Sequence, residues 1–440
     1  MKSHSLKITL LIALIAVVIL AVSPKVIGVG IQEATIGSLI ELIPPETESQ
    51  LEINQGELSS GWFSSTSSME VLYTGLGTDS IALELEFEIS HGPLMITADG
   101  PKFGLAYATI TPSIRNDAFE VVIADFPFDL PRLSLNLLAG FDQSLVLGLN
   151  IDALNYSGND GLVDFEGVDA SFVANSDQSA EFKLTMGALT ATENSANSNL
   201  SISGLELLSS TAQMNDILAQ SQAQLSIPAI SSSAPISFSV TDFSTTYGLV
   251  HSAGELDHVN IYQNMEIADI SSAFPLRSLL WKTELNEINS ELFSRYYQLL
   301  IELQDEMNSN PELVTARITQ LGEELALIVA QNSLVFNNFV QTNLYEGDHE
   351  LDLKVQWAGQ PDLSSIAALN LNEALLALTV EMDVSLDLEA VLRSPAAGLI
   401  DPYVQQGYLE IENGKILIQT SLKDGVLILN DDTLPLDQLF

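Results

Sequence analysis

Cysteine is absent from this chain of 440 residues. No disulfide can staple it, and no lipidated amino-terminal cysteine can anchor it. A chain of this length can bury a core large enough to do without such staples, and one to three domains are plausible. Basic residues are scarce: 15 Lys and Arg stand against 58 Asp and Glu, a formal net charge of −43. Between Leu133 and Leu276 the single basic residue is Lys183. Nucleic-acid binding needs a Lys/Arg footprint along the phosphates, so that function class is excluded. Electrostatic docking to anionic headgroups is disfavoured on the same ground. The acidity is read first as a means of solubility.

Histidine is nearly as rare, at five residues: His4, His91, His251, His258 and His349. None forms the His-Glu-x-x-His pair of a zinc protease. His251 and His258 flank Glu255 and Asp257, and would make a metal site only if strands brought them together. His91, followed by Gly92 and Pro93, reads as a strand-ending turn; a general base there would need a nucleophile and an orienting acid that the sequence does not supply. The Gly-x-Ser-x-Gly nucleophile elbow and the phosphate loop are both missing. Gly75-Leu76-Gly77 lacks the third glycine of a dinucleotide fingerprint. Asn155, Ser157, Asn159 and Glu166 have some of the spacing of a calcium loop. Asp160 holds the position where the turn requires glycine, so the stretch is read as an ordinary turn. No residue is assigned as catalytic, cofactor-binding or metal-ligating, no cofactor is expected, and the chain is read as non-enzymatic.

What the chain does have is a greasy start. Ile8 to Val22 is apolar throughout except Thr9, directly behind Lys2 and Lys7. Ser23, Pro24 and Lys25 interrupt the run before Val26, Ile27, Val29 and Ile31 resume it. Two readings stay open. A cleaved export signal would use Ala21 and Ser23 as its small residues, with Pro24 awkwardly after the cut. An uncleaved signal anchor over 8–31, the reading adopted, needs no such site. No Lys or Arg appears between Lys25 and Lys102, so residues 1–7 stay cytoplasmic and the remainder crosses.

Beyond the anchor the expected fold is α+β and mostly β: a long antiparallel meander sheet with a helical hairpin and a C-terminal three-stranded meander. Residues 32–277 form the first β-rich region. Ile81, Leu83, Leu85, Phe87 and Ile89 alternate with Ala82, Glu84, Glu86, Glu88 and Ser90, the period-two pattern of a strand with one buried face. Further strands are expected around 121–123, 144–151, 161–172, 182–186 and 200–207, and Phe165–Phe172 reads faintly like Leu200–Leu207. Trp62 and Phe63, ahead of the serine run 64–68, suit a core or a surface contact. Residues 278–331 are read as the helical hairpin. Ser278 caps a first helix to about Asn308, carrying Leu285, Ile288, Leu292, Tyr296, Leu299 and Leu303 on one stripe. Asn310 caps a second helix, with Pro311 at its first position and Glu312 at the positive end of its dipole.

Strands return in 332–440, a C-terminal β-rich region packed with the preceding one. Leu351, Leu353 and Val355 alternate with polar residues, as do Val380, Met382, Val384, Leu386 and Leu388. Asn413-Gly414 and Asp424-Gly425 are two-residue hairpin signals. They predict Leu409 and Ile411 facing Ile416 and Ile418, and Glu412 opposite Lys415.

In order along the chain, these features resemble the YdgA-like family of bacterial envelope proteins, a family of unknown function. The resemblance rests on the apolar start, Gly61-Trp62-Phe63-Ser64-Ser65, His91-Gly92-Pro93, Asn310-Pro311-Glu312-Leu313, Tyr403, Gln405-Gln406-Gly407-Tyr408, and the Asp424-Gly425 turn leading to Leu429-Asn430. It spans nearly the whole chain and implies an inner-membrane or periplasmic protein of Gram-negative bacteria, without implying catalytic residues. The expected function is a non-enzymatic scaffold, anchored in the inner membrane with its bulk in the periplasm, that binds an apolar or lipidic ligand. The alternative is a protein-interaction module for envelope assembly, motility or surface properties, so the expected partners are the membrane and a lipid or envelope protein.

Overall fold

The computed structural model describes residues 51–56, 59–60, 64–73, 81–91, 94–98, 100–115, 131–159, 161–195, 197–214, 216–252, 255–298 and 314–434. The expected anchor over 8–31, the strand near 121–123, Trp62, Phe63 and the cap at Asn310 lie outside them. Among the described residues no helix is long and apolar enough to cross a membrane.

The chain divides into two units, residues 1–217 and 218–440. In the first, β1 (Leu51–Gln55), β2 (Ser59–Ser60), β3 (Ser64–Tyr73), β4 (Ile81–His91), β5 (Leu94–Thr97), β6 (Gly100–Phe103), β7 (Ala106–Arg115), β8 (Leu133–Ala139) and β9 (Leu145–Ile151) come first. They are followed by β10 (Leu154–Ser157), β11 (Gly161–Phe165), β12 (Val168–Ala174), β13 (Ala180–Met186), β14 (Leu189–Glu193), β15 (Ser198–Ile202) and β16 (Leu205–Thr211). Pairing is antiparallel throughout, in the order β3-β4-β7-β8-β9-β12-β13-β16, with β1 and β2 sharing the outer edge of β3. The alternation seen in 81–90 holds: Phe87 faces inward and Glu86 and Glu88 face solvent. Phe87, Ile110, Leu135 and Leu149 stand directly opposite one another across four strands and form the buried core of this unit with Met69 and Val71.

Four of these strands break at the same level. Asp152-Ala153 separates β9 from β10, Glu166-Gly167 separates β11 from β12, Gly187-Ala188 separates β13 from β14, and Ser203-Gly204 separates β15 from β16. On one side of the break Ile151, Val168, Met186 and Leu205 are aligned by the register; on the other Leu154, Phe165, Leu189 and Ile202 are. Ladder hydrogen bonds persist through it, from Glu166 N–H to Ala188 O and from Gly187 N–H to Gly167 O, both 2.9 Å. The result is a crease across the sheet rather than a set of loops. Gly167 sits there with φ 103°, and a Cβ on it would lie 2.5 Å from Ile151 O, so only glycine fits. The likeness between Phe165–Phe172 and Leu200–Leu207 is two passes through this crease. The turn over 155–166, which mimics a calcium loop, is the β10–β11 hairpin, and the Glu166 carboxylate accepts from Ala188 N–H at 2.9 Å.

The two hairpin turns at the far end of these strands are built alike. Asp142 Oδ1 accepts from Ser144 N–H (3.1 Å) and Oγ–H (2.6 Å), and Asp177 Oδ1 accepts from Ser179 N–H (3.0 Å) and Oγ–H (2.6 Å). Gln143 and Gln178 take the left-handed conformation between them. Such Asx-type bonds close a turn locally.

The second unit carries β17 (Ser221–Ser232), β18 (Phe238–Ser252), β19 (Glu255–Ser272), β20 (Leu276–Asn289), β21 (Leu334–Leu344), β22 (Gly347–Trp357), β23 (Leu378–Asp387), β24 (Glu410–Glu412), β25 (Lys415–Lys423), β26 (Val426–Leu429) and β27 (Asp432–Leu434). Each of β17 to β22 pairs antiparallel with the next, and β23 pairs antiparallel with β25. Its helices are α1 (residues 290–298), α2 (Val314–Gln331), α3 (Leu371–Ala377), α4 (Leu388–Arg393) and α5 (Ile400–Gln405).

One boundary differs from expectation. Residues 278–289, read above as the start of a helix capped by Ser278, are strand β20. Leu279, Trp281, Thr283 and Leu285 alternate with period two and share one face with the neighbouring strands, and this competes with the three- and four-residue spacing of Leu285, Ile288 and Leu292. Sheet pairing on both sides settles the contest in favour of strand. The helix starts at Ser290, where Asn289 Oδ1 accepts from Glu291 N–H at 2.9 Å and Leu292 N–H at 3.3 Å. Arg295 of α1 and Glu324 of α2 pair at 3.3 Å; the connection between the two helices lies outside the described residues.

Both expected C-terminal hairpins form, but not as a three-stranded meander: β23 takes one edge of β25 along its length, so β24 and β26 must both return on the other edge, end to end, and Leu409 lies outside β24. Ile411 opposes Ile416 and Glu412 opposes Lys415, with Asn413 and Gly414 both at positive φ. Asp424-Gly425 repeats this geometry, and a further hairpin over Asn430-Asp431 adds β27. The strand run expected to reach Leu388 ends at Asp387, whose carboxylate accepts from Ala390 N–H (2.9 Å) and caps α4.

Candidate functional site

Side chains directly opposite one another across a sheet share a face. In the second unit, one such row runs through Thr245, Met265, Trp281, Val340, Leu351, Val384 and Ile418. Two residues along each strand, the next row runs through Tyr247, Gln263, Thr283, Asn338, Leu353, Met382 and Thr420. The face is therefore apolar on the β22–β25 side and mixed on the β18–β21 side. The opposite face carries Glu266, Glu284, Asp352, Glu381 and Asp383, all exposed; the last three are polar positions of the expected strands.

The apolar face is closed at both ends of the strands and open between them. At one end Leu249, Val259 and Ile288 are buried with Leu292 of α1, and Ile328 of α2 packs against them. Trp357 Nε1–H donates to Ala330 O at 3.0 Å and pins the end of α2 to β22. At the other end Ala390, Ile400 and Ile416 are buried among α4, α5 and β25. His349 is fixed there: its Nε2 lies 2.9 Å from Leu344 O, and Asp387 N–H donates to its Nδ1 at 3.3 Å. Between the ends, Met265, Val340, Leu351, Val384 and Ile418 remain half-exposed, and Trp281 is 40% exposed. A face of this kind leaves apolar area in water that a ligand could cover.

The polar residues on this face are organised. Asn338 Oδ1 accepts from Trp281 Nε1–H at 2.7 Å and from Thr283 Oγ–H at 3.0 Å. The indole is thereby tied to the Asn338 row. Tyr247 stands 46% exposed at the same side, its phenol pushed above its ordinary value by burial and then by the neighbouring Tyr296. The face thus sets polar groups at Tyr247 and Asn338 beside apolar side chains at Leu351, Val384 and Ile418.

The histidines do not converge on a centre. His251 lies opposite Val259, and His258 is the neighbour of Val259 along β19, so the two rings leave opposite faces of the sheet. Among the described residues no group of three or more His, Asp or Glu could hold a metal ion. His91 closes β4 opposite Ala106, in keeping with a strand end. Trp281, Thr283 and Asn338 were not singled out by the sequence, because Trp281 fell inside the expected helix. The signal that finds them is the period-two run from Leu279 to Leu285.

Residues 5–437 match the model of one protein family, described as a bacterial protein of unknown function (DUF945). Neither a curated protein nor a solved structure matches the chain.

Proposed function

We propose, from the premise that this chain belongs to the DUF945 family of bacterial proteins of unknown function, that it is a membrane-tethered scaffold holding an apolar, lipid-like molecule on the sheet of its second unit. The observation that carries this reading is the half-exposed apolar row from Met265 to Ile418, bounded at both strand ends by packed helices and bordered by the Asn338 node. The apolar surface that this row leaves uncovered is costly in water, at about 25 cal/mol per Å². Covering it with a hydrocarbon chain recovers that energy without any covalent chemistry, so the role is binding rather than catalysis.

The apolar run 8–31 supplies the tether, and the Lys2, Lys7 and Lys25 asymmetry favours the inner membrane with the bulk in the periplasm. The resemblance to the YdgA-like envelope proteins supports the same address. Photo-crosslinking tests the proposal. The full-length chain is incubated with a diazirine-bearing fatty acid, irradiated and mapped by peptide mass spectrometry. Adducts are expected on β19 to β23, and Leu351→Glu should remove them while circular dichroism stays unchanged. Adducts confined to residues 8–31 would reject the ligand face, and susceptibility of a tagged chain to cytosolic but not periplasmic protease would reject the address.

A further inference from the structure

We infer that the β5–β6 hairpin of the first unit is a wedge that enters the headgroup–hydrocarbon boundary of a lipid bilayer, a reading that rests on the membrane tether proposed above. The register puts Leu94 opposite Phe103 and Ile96 opposite Pro101, so all four share one face. That face is bare: Ile96 is 87% exposed, Phe103 69% and Leu94 53%. Met95 and Lys102 occupy the other face. Met95 is only 2% exposed, and the Lys102 ammonium lies 5.6 Å from the ring centroid of Tyr107. The hairpin is thus fastened to the body by its inner face, and its apolar outer face is presented by construction.

The neighbourhood extends the wedge. Leu105 is exposed at its base and donates its N–H to Ala139 O at 2.8 Å. Two residues beyond Ala139, Phe141 stands exposed at the tip of the β8–β9 turn.

Three features favour a bilayer over a protein partner. Within the hairpin Thr97 Oγ–H donates to Gly100 O at 2.8 Å, and Pro101 has no N–H to leave unpaired. Each such group lowers the cost of bringing polar backbone to an apolar medium. Next, a side chain as exposed as Ile96 is enclosed by a deformable medium more readily than by a fixed pocket. Finally, six side chains fall short of the roughly 20–30 residues a side that a stable interface with a second copy employs. The net charge of −43 removes attraction to anionic headgroups, so adhesion is by apolar burial, and added salt should not weaken it.

The cysteine-free chain makes the test direct. A full-length Ile96→Cys variant carries one nitrobenzoxadiazole probe, and an Asn159→Cys variant, labelled in the exposed β10–β11 turn beyond the crease, serves as control. Each is reconstituted into vesicles of phosphatidylcholine and phosphatidylethanolamine and recovered by flotation. At position 96 the emission should rise and shift to the blue, lipid-borne nitroxide should quench it, and iodide should not; at position 159 the pattern should reverse. Adding Phe103→Asp to the 96-labelled chain should return the probe to water. A floating chain whose probe at 96 is quenched by iodide alone overturns this inference and leaves the tether standing. A probe shielded from both quenchers marks a protein contact and also overturns it. A chain that does not float overturns the wedge and the tether together.

Discussion

The two units solve one problem in opposite ways. Both are antiparallel meanders with one apolar and one polar face. In the first, the row Phe87–Ile110–Leu135–Leu149 is buried along its length. In the second, the equivalent row is buried only where helices close the strand ends, and Met265 to Ile418 stay half-exposed between them. The pattern of the amino acids is the same in kind, so alternation alone says which residues share a face and not whether that face is covered. What differs is the punctuation. The first unit interrupts its strands with two-residue breaks, whereas the second places helices at their ends.

The largest effect should come from truncating each row. Phe87→Ala, at a side chain only 3% exposed, is expected to cost about 3–5 kcal/mol. Met382→Ala, on the half-exposed face, should cost about 1 kcal/mol, since less apolar surface returns to water. Urea melts followed separately in the two units by hydrogen exchange would read both; equal costs would erase the distinction between a buried and an open face.

Next comes the backbone. Gly167→Val forces a β-branched residue into φ 103° and against Ile151 O, and should cost about 2–3 kcal/mol. Gly322→Ala in α2 meets nothing within 4 Å, and should stabilise by about 0.5–1 kcal/mol. If the first change proves harmless in thermal unfolding, the crease is not held by its glycines.

Removing the helix cap that starts the second unit's cover, by Asn289→Ala, should cost about 1 kcal/mol. The loss should appear as faster exchange in α1. Unchanged exchange there would show that packing of Leu292, rather than the cap, sets the helix start.

The smallest effect is in pH, and it has opposite signs in the two units. Asp142 and Asp177 are held below the usual aspartate range by hydrogen bonds, chiefly from the Ser144 and Ser179 hydroxyls and then from their N–H groups. A depressed carboxyl contributes stability above its unfolded value, and loses it as pH falls below about 4 through its folded value. Tyr247 in the second unit is shifted upward by burial, so its contribution is whole below about 10 and declines as pH rises past that point. Asp142→Asn with Asp177→Asn should flatten the acid limb of first-unit stability, and Tyr247→Phe the alkaline limb of the second. Identical limbs in parent and variants would remove both assignments.

How far the sequence could be read follows the same division. Strict alternation in Ile81–Ile89 and Leu351–Val355, and turn chemistry at Asn413-Gly414 and Asp424-Gly425, specified strands and register because each is a local property. Ser278 to Asn289 was misread because two periodicities overlap on Leu285 and Ile288, and only pairing with β19 and β21, which is not local, separates them. Strand β27 was passed over because Asn430-Asp431 takes positive φ without a glycine to announce it. The apolar face of the second unit is legible in the sequence as hydrophobic alternation, while its openness depends on which helices reach it. The hairpin wedge was invisible for a simpler reason: Leu94-Met95-Ile96 looks like any buried strand until its partners are known.

The crease carries a consequence for how the gene can change. Because the flanking apolar residues sit three apart across each break, the count of residues there decides which side everything beyond it presents. Point substitutions can be absorbed one at a time, apart from those at the glycines. Losing or gaining a single codon in one of the four passes would turn that strand's far half inside out against three neighbours that had not moved, so tolerated length variation should be pushed out to the hairpin tips.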